Sequence, residues 1–236
     1  MLVTSVTTRI FPEQGSLSEF IRAHVRTLPE KSILVVTSKI VALSEGRFAA
    51  YSGLTQKNAL IRKESQRAFK SAHAWLTMRD GMMMANSGID ESNADGKLIL
   101  LPKDAFESAA RMRRELMGLY KVRRLGVIIS DSAIHPLRAG VTAHALGYAG
   151  IRGVRDYRGK KDIFGKKMEM MRTNVADSLA TAAALVMGEG AERRPLAVIT
   201  DAPVVFAEKT DRTETNISIR EDLYAPLLRR MRKGKD

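Results

Sequence analysis

Two short segments carry carboxylates, hydroxyls and amides in a pattern suited to hard cations. Asn86-Ser87-Gly88-Ile89-Asp90-Glu91-Ser92-Asn93 follows directly on the apolar run Met82-Met83-Met84-Ala85, giving a strand-to-loop edge rich in oxygen donors. Oxygen-rich, thiol-free sites suit Mg2+ or Mn2+, which bind one or two carboxylates and leave positions for substrate phosphate. On composition alone this reading is balanced evenly against an Asx-rich turn, because Asn, Ser and Asp bond readily to their own backbone. The second segment, Val127-Ile128-Ile129-Ser130-Asp131-Ser132, runs a buried strand into a carboxylate and a hydroxyl. A rigid strand end is where binding and catalytic groups are well aimed. Pro136 argues against a helix starting at once, so a capping role is the weaker reading. Asp90 and Asp131 are therefore expected to hold divalent metal and to act on negatively charged, phosphate-bearing substrates.

Two further segments are weaker. The stretch from Arg155 to Lys166 interleaves cations, carboxylates and aromatics, and its arginines could grip phosphate or carboxylate in bidentate fashion. A surface loop of self-paired charges explains it equally simply. At Met187-Gly188-Glu189 an alanine-rich helix ends on a glycine, which a C-cap explains. Glu189 is the odd member, since a carboxylate there meets the negative end of the helix dipole and a bound cation would offset the repulsion. His24, His73, His135 and His144 share no metal spacing, although His135 is near enough to Asp131 to line a site. The methionines at 82–84 and 168–171 read as core filling.

Standard nucleotide fingerprints are missing. The stretch 159–166 has five residues between its glycines where the Walker loop needs four, and Gly147, Gly150 and Gly153 do not form the dinucleotide pattern. Any nucleotide site must be of another kind.

The elements that must position these groups are strands at 33–37, 75–78, 82–85, 98–101, 126–130 and 196–200, with a tight turn at Arg79-Asp80-Gly81. Helices are expected from a capping box at Ser16–Glu19, over 57–73, over 103–119, and over 173–187 with a clear apolar stripe. Strands and helices mix without βαβ alternation, which reads as α+β with a mixed sheet rather than a doubly wound fold. Residues 1–200 form the expected domain. Residues 201–236 read as a basic tail with one helix over 220–231, whose Leu223, Leu227 and Leu228 could dock on the body.

Bulk properties narrow the partners. The chain of 236 residues is 44% hydrophobic and has no cysteine, which excludes disulfides, thiolate metal sites and cysteine nucleophiles. No apolar run is long enough to cross a bilayer and the N-terminus lacks a signal-peptide pattern, so the cytoplasm is expected and a membrane partner is not. Net charge +13 suits anionic ligands. Its clusters at 111–114, 121–124 and 229–235 read more simply as solvated faces. With 6% aromatics and no stacking motif, nucleic acid is a poor candidate.

Taken in order, these segments resemble the coenzyme F420-0:γ-glutamyl ligase family. The resemblance runs through Ile33-Leu34-Val35-Val36-Thr37-Ser38-Lys39-Ile40-Val41, Glu45-Gly46-Arg47, ANSGIDESN at 85–93 and GVIISDS at 126–132. It continues through Gly147, Ala149-Gly150-Ile151, Asp156-Tyr157-Arg158-Gly159, Asp162, Phe164-Gly165 and Val186-Met187-Gly188-Glu189. It implies an intertwined homodimer that joins L-glutamate to the coenzyme through an acyl phosphate, using GTP (or ATP) with Mg2+ or Mn2+. By motif, Asp90, Asp131 and Glu189 would be metal ligands and Ser132 a weaker one. Ser38, Lys39 and Asn93 would contact nucleotide, with Arg138 and Arg158 joining Asp131 in catalysis.

The chain departs from the family pattern where a Gly-Arg-Pro-Trp-Arg type stretch is replaced by Ala133-Ile134-His135-Pro136-Leu137-Arg138, and where a lysine is replaced by Leu43. An altered anionic acceptor is the expectation. Two alternatives are a folate acceptor and a basic nucleic-acid-binding protein on a catalytically inactive ligase scaffold.

Overall fold

The computed structural model describes residues 1–230. The chain begins with β1 (Leu2–Val6), α1 (Leu17–His24), β2 (Ser32–Thr37), α2 (Ser38–Ser44), β3 (Phe48–Ala50) and α3 (Leu54–Lys63). Next come β4 (Arg67–Lys70), β5 (Trp75–Arg79), β6 (Met82–Ala85), a 3-10 turn at Asn86–Gly88, β7 (Lys97–Ile99) and α4 (Ala105–Tyr120). The rest is β8 (Leu125–Ala133), β9 (Thr142–Ala149), β10 (Val154–Asp156), β11 (Arg172–Asn174), α5 (Val175–Met187), β12 (Leu196–Thr200) and α6 (Ala225–Arg230).

A five-stranded mixed sheet in the order β1-β12-β2-β8-β9 organises the α+β fold. Only β2 and β8 run parallel, with Thr37 paired to Ser130; the other neighbours are antiparallel. Strand β2 reads Ser-Ile-Leu-Val-Val-Thr and is buried along nearly its whole length, as a strand covered on both faces must be. On one face Leu34, Val36, Val127 and Ile129 pack against α1, α2 and α4. On the other, Ile33, Val35, Ile128 and Ile199 meet the alanine-rich side of α5 through Ala176, Ala180 and Ala183. The alanines allow that helix to lie close to the sheet.

The smaller sheets β3-β7 and β4-β5-β6 form an annex with α3 around Ile61, Ile89, Leu98 and Leu100. The β5–β6 connection is the expected tight turn: Arg79 pairs with Met82, and Asp80 and Gly81 both take positive φ, 50° and 79°. Such a two-residue turn matches the twist of the strands it joins.

Several expectations need correction. The helix expected over 57–73 stops at Lys63, and Arg67–Lys70 becomes strand β4 paired to β5. Cross-strand pairing overrode helical spacing there. The strand expected at 98–101 is Lys97–Ile99. Met83 on β6 and Met170 and Met171 on the β10–β11 hairpin are exposed and are not core filling. Arg113, assigned to a solvated tract, is buried and bonds Glu208 and the Leu125 carbonyl.

The segment after β12 straps across the body. Arg152 N–H donates to the Val205 carbonyl and Ala207 N–H to the Gly150 carbonyl, and Phe206 bridges to Ile151. Helix α6 starts at Ala225 rather than at residue 220, and Leu223 and Leu227 are exposed rather than docked. The end of the helix expected over 220–231 lies outside the described residues.

Candidate functional site

The carboxyl ends of the parallel pair β2 and β8 gather most of the residues singled out by sequence. At such ends in sheets with parallel strands, the outgoing loops leave a crevice in which ligands bind. Strand β2 passes straight into α2, placing Ser38 and Lys39 at the edge. Strand β8 runs further than the sequence suggested, so Asp131 and Ser132 lie within it rather than beyond it. A register shift against β9 between Ile129 and Ser130 leaves Leu146 unpaired, one paired residue before Asp131. Bulges of this kind re-aim side chains beside functional sites.

Successive strand residues point to opposite faces, and Asp131 and Ser132 find different partners accordingly. Asp131 Oδ1 accepts a hydrogen bond from Ser38 Oγ at 2.7 Å. Ser132 Oγ donates to Glu189 Oε2 at 2.7 Å, just past the C-terminus of α5. There Gly188 caps the helix with φ 80°. Lys39 Nζ lies 2.6 Å from Asp90 Oδ2 and donates to the carbonyl and hydroxyl oxygens of Ser92, both at 2.9 Å. Ser92 in turn donates to Asp90 through its backbone N–H at 2.9 Å and its hydroxyl at 2.5 Å. Asn93 Nδ2 donates to the Gly190 carbonyl at 3.2 Å. The contacts close on themselves: Ser38-Lys39, Asp90–Asn93, Glu189-Gly190 and Asp131-Ser132 form one polar ring.

The loop bearing Asp90 is held in an unusual shape. Asn86, Ser87 and Gly88 all have positive φ, at 52°, 54° and 70°. Two consecutive non-glycine residues in this region represent stored strain that the surroundings must hold. Buried Thr77 accepts the Ser87 N–H at 2.8 Å and donates to the Met84 carbonyl at 2.8 Å. Ser87 Oγ donates to the Glu64 carbonyl, and Asn86 Oδ1 accepts the Trp75 N–H. Gly88 has no room for a side chain, because Leu101 occupies the space a Cβ would take. The sequence reading missed Thr77 and Glu64, whose links to this loop are long-range and carry no local pattern.

The electrostatics separate the two aspartates. Burial pushes the Asp131 carboxyl up to about 6, with the Asp90 charge adding to the rise and Ser38 and Lys39 opposing it. Burial also pushes Asp90 up, but Lys39 and the two Ser92 hydrogen bonds outweigh it and hold the carboxyl below its usual value. The mutual influence places both carboxylates within one electrostatic neighbourhood.

The carboxylates of Asp90, Asp131 and Glu189 and the hydroxyls of Ser38 and Ser132 are all oxygen groups, the type that hard divalent cations take. Among the described residues no three carboxylates or histidines converge closely enough to form a complete metal cage. Lys39 already supplies a positive charge to Asp90.

The remaining expected residues lie outside the ring. Arg138 is exposed in the loop between β8 and β9. Arg158 is exposed on the β10–β11 hairpin and forms a bidentate pair with Asp156, whose carboxyl it holds down at about 2. His135 Nε2 bonds Thr142 Oγ1 at 2.7 Å, in the same loop as Arg138.

The fold is thus a mixed-sheet α+β body that gathers hydroxyl, ammonium and carboxylate groups about the ends of its parallel strands. The model of the F420-0:γ-glutamyl ligase family matches residues 5–201, and the chain belongs to that family. It is 32% identical to a coenzyme F420:L-glutamate ligase of Methanococcus maripaludis over 218 residues, covering 84% of this chain and 86% of that one. The ligase of the same name from Archaeoglobus fulgidus is 31% identical over 80% of this chain and 86% of its own. That of Methanocaldococcus jannaschii is 42% identical over a shorter stretch, 54% of this chain and 51% of its own.

Proposed function

We propose that this chain is a nucleotide-driven, metal-dependent ligase that joins the amine of L-glutamate to a carboxylate of an anionic acceptor. Membership of the family supports the reaction class, and the polar ring carries the reading at the level of residues. In this reaction an acceptor carboxylate oxygen attacks the γ-phosphorus of GTP, and GDP leaves. The glutamate amine then attacks the acyl carbon, releasing phosphate and a proton as the amide forms.

Each step needs charge neutralisation and in-line placement more than covalent help. Lys39 is the cation of the site and would exchange its hold on Asp90 and Ser92 for nucleotide phosphate, with Ser38 and Asn93 as further polar contacts. Asp90 and Asp131 would hold Mg2+ or Mn2+, with Ser132 and Glu189 as the second ligand pair. A metal bound there would supply Lewis-acid stabilisation of the phosphate charge. Arg138 would meet an anion from its exposed loop, while Arg158 would have to release Asp156 to do the same.

A homodimer is part of the proposal. Ile163, Phe164 and Met170 on the β10–β11 hairpin and Leu137 in the β8–β9 loop are almost fully exposed, which is costly for a monomer and natural for an interlocking arm. The acceptor is either the F420-0 coenzyme or another anionic metabolite such as a folate, because residues 133–137 replace the family's arginine-bearing stretch.

Mass spectrometry of overnight reactions containing GTP or ATP, Mg2+ or Mn2+, glutamate and either the deazaflavin precursor or a reduced folate tests this. One added glutamyl unit, lost in Asp131→Ala, is expected and would name the acceptor. No product from either acceptor, together with no metal-dependent nucleotide binding, would overturn the ligase reading.

A further inference from the structure

A cavity of about 300 Å3 lies away from the ring, between the β5–β6 turn, the start of α4, β9 and the strap that follows β12. This volume is at the small end of ligand sites. None of Ser38, Lys39, Asp90, Asp131, Ser132 or Glu189 lines it. Leu101 lines the cavity and also packs on Gly88, so the two sites share an apolar wall and no polar group.

The outer wall is built from residues 212–216, beyond the end of the family match at residue 201. It is firmly fixed. Arg212 makes a bidentate pair with Asp104 at 2.7 and 2.6 Å, and its guanidinium lies 5.2 Å from the centre of the Phe106 ring. Glu214 Oε1 accepts hydrogen bonds from the Tyr148 hydroxyl at 2.8 Å and the Gly153 N–H at 2.5 Å. Upstream, Glu208 grips buried Arg113 through both carboxylate oxygens. Thr213 is thereby flanked by fixed points, and Thr215 and Asn216 follow directly on the second of them.

The lining is two-sided in chemistry. Met82, Leu101, Phe106 and Leu146 supply an apolar floor. Three cations stand at its edge with unequal freedom. Arg79 is 3.0 Å from Glu64 and 3.4 Å from Asp80, and Arg212 is held by Asp104. Lys103 is exposed, and its ammonium has no carboxylate partner among the described residues. The Thr213 hydroxyl already donates to Asp211 Oδ1 at 2.8 Å; one uncommitted cation and the polar side chains of Thr215 and Asn216 around an apolar floor suit a ligand with a single anionic head and a flat apolar body.

We propose that this cavity, walled by the strap, is a second binding site for a small amphipathic anion. The body would rest on Phe106 and Leu146, and the phosphate or carboxylate head would meet Lys103 and Asn216. The site is independent of the ligase reading and stands or falls separately from it.

The test is titration of the full chain, observed by amide chemical shifts, with phenyl phosphate, benzoate and inorganic phosphate as probes. Phenyl phosphate or benzoate at millimolar concentration is expected to shift the amides of Lys103, Leu146, Thr215 and Asn216, while inorganic phosphate does so weakly. The stronger of the two aromatic probes identifies the head group. Lys103→Glu is a surface change that leaves the fold intact, as a melting curve would verify, and should weaken binding about tenfold, equivalent to ~1.4 kcal/mol. Asp131→Asn should leave it unchanged. Shifts confined to the Asp90–Asn93 loop, binding unaffected by Lys103→Glu, or no response to either aromatic probe would overturn the proposal.

Discussion

Two polar networks of similar size sit on the same sheet and are balanced in opposite ways. In the strap, each buried charge is answered: Arg113 meets Glu208 and the Leu125 carbonyl, and Glu214 meets Tyr148 and Gly153. The carboxyl of Asp104 is pushed up by burial, but the Glu107 N–H and Arg212 outweigh this and hold it below its usual value. In the ring, Asp131 is held by one hydroxyl, and burial raises it to about 6. A network made for stability satisfies its members, while one made to receive a charged ligand leaves some of them waiting. The contrast rests on Asp131, since Asp90 in the ring is held below its usual value just as Asp104 is, and on the proposed reading it marks Asp131 as the group that waits.

The sharpest way to break this comparison is to remove the waiting carboxylate. Asp131→Ala should lower glutamyl transfer by about a hundredfold or more, the scale seen when metal-centre groups are lost. Nucleotide binding in the variant should no longer respond to EDTA. Retention of metal-dependent binding would mean that Asp90 and Glu189 suffice, and the ring would lose its centre.

The scaffold side predicts the reverse profile. Arg113→Ala removes a charged group that is buried while its partner Glu208 is largely exposed, so the loss reflects the hydrogen bonds more than a stranded charge. Urea denaturation should show a loss of about 2 kcal/mol, and activity per folded molecule should stay near that of the parent. A fall in activity that outran the fall in stability would mean that the strap participates in the reaction.

How much of this was readable in advance follows the same division. The ring segments are contiguous in sequence: SDS at the end of a strand, GIDESN after another, MGE after a helix. Short range is where residue type and spacing carry information, and Ser38, Lys39, Asp90, Asn93, Asp131, Ser132 and Glu189 were all found that way or through the family pattern those segments compose. The closing of the ring was not readable, because Asn93–Gly190 and Ser132–Glu189 are pairings across the fold. Nor was the strap: Arg113 and Glu208 are 95 positions apart, and nothing around either suggests the other. Strand β4 was lost for a related reason, since Ala68 and Phe69 fit a helical stripe until β5 is present to pair with them.

A third prediction uses pH on the ring itself. The folded-state value of Asp131, about 6, lies above the ~3.9 of an unfolded aspartate. Below pH ~4 both states hold the proton and Asp131 adds no slope. Between ~4 and ~6 the folded state keeps a proton that the unfolded state has released, so this contribution to stability falls as pH rises, and it levels off above. Asp131→Asn should therefore be more stable than the parent above pH ~6, by on the order of 2 kcal/mol, with the gain vanishing toward pH ~4. Parallel melting curves from pH ~4 to ~8 would read this directly. An Asn variant that is less stable across the whole range would move Asp131 to the scaffold side.

The smallest effect concerns the residue that joins the two kinds of network. Thr77 is fully buried, belongs to the scaffold by position, and serves the ring by holding the Ser87 N–H of the strained loop before Asp90. Thr77→Val keeps the volume and removes the acceptor, leaving that N–H to find another partner or the loop to relax. Either outcome moves Asp90 by a fraction of an ångström, which a metal site registers more keenly than the fold does. Metal-dependent nucleotide affinity should drop about tenfold and recover in Thr77→Ser, which restores the hydroxyl without the methyl. If the valine and serine variants lose stability and affinity in the same proportion, Thr77 is packing alone and the strain at Asn86–Gly88 has no part in aiming Asp90.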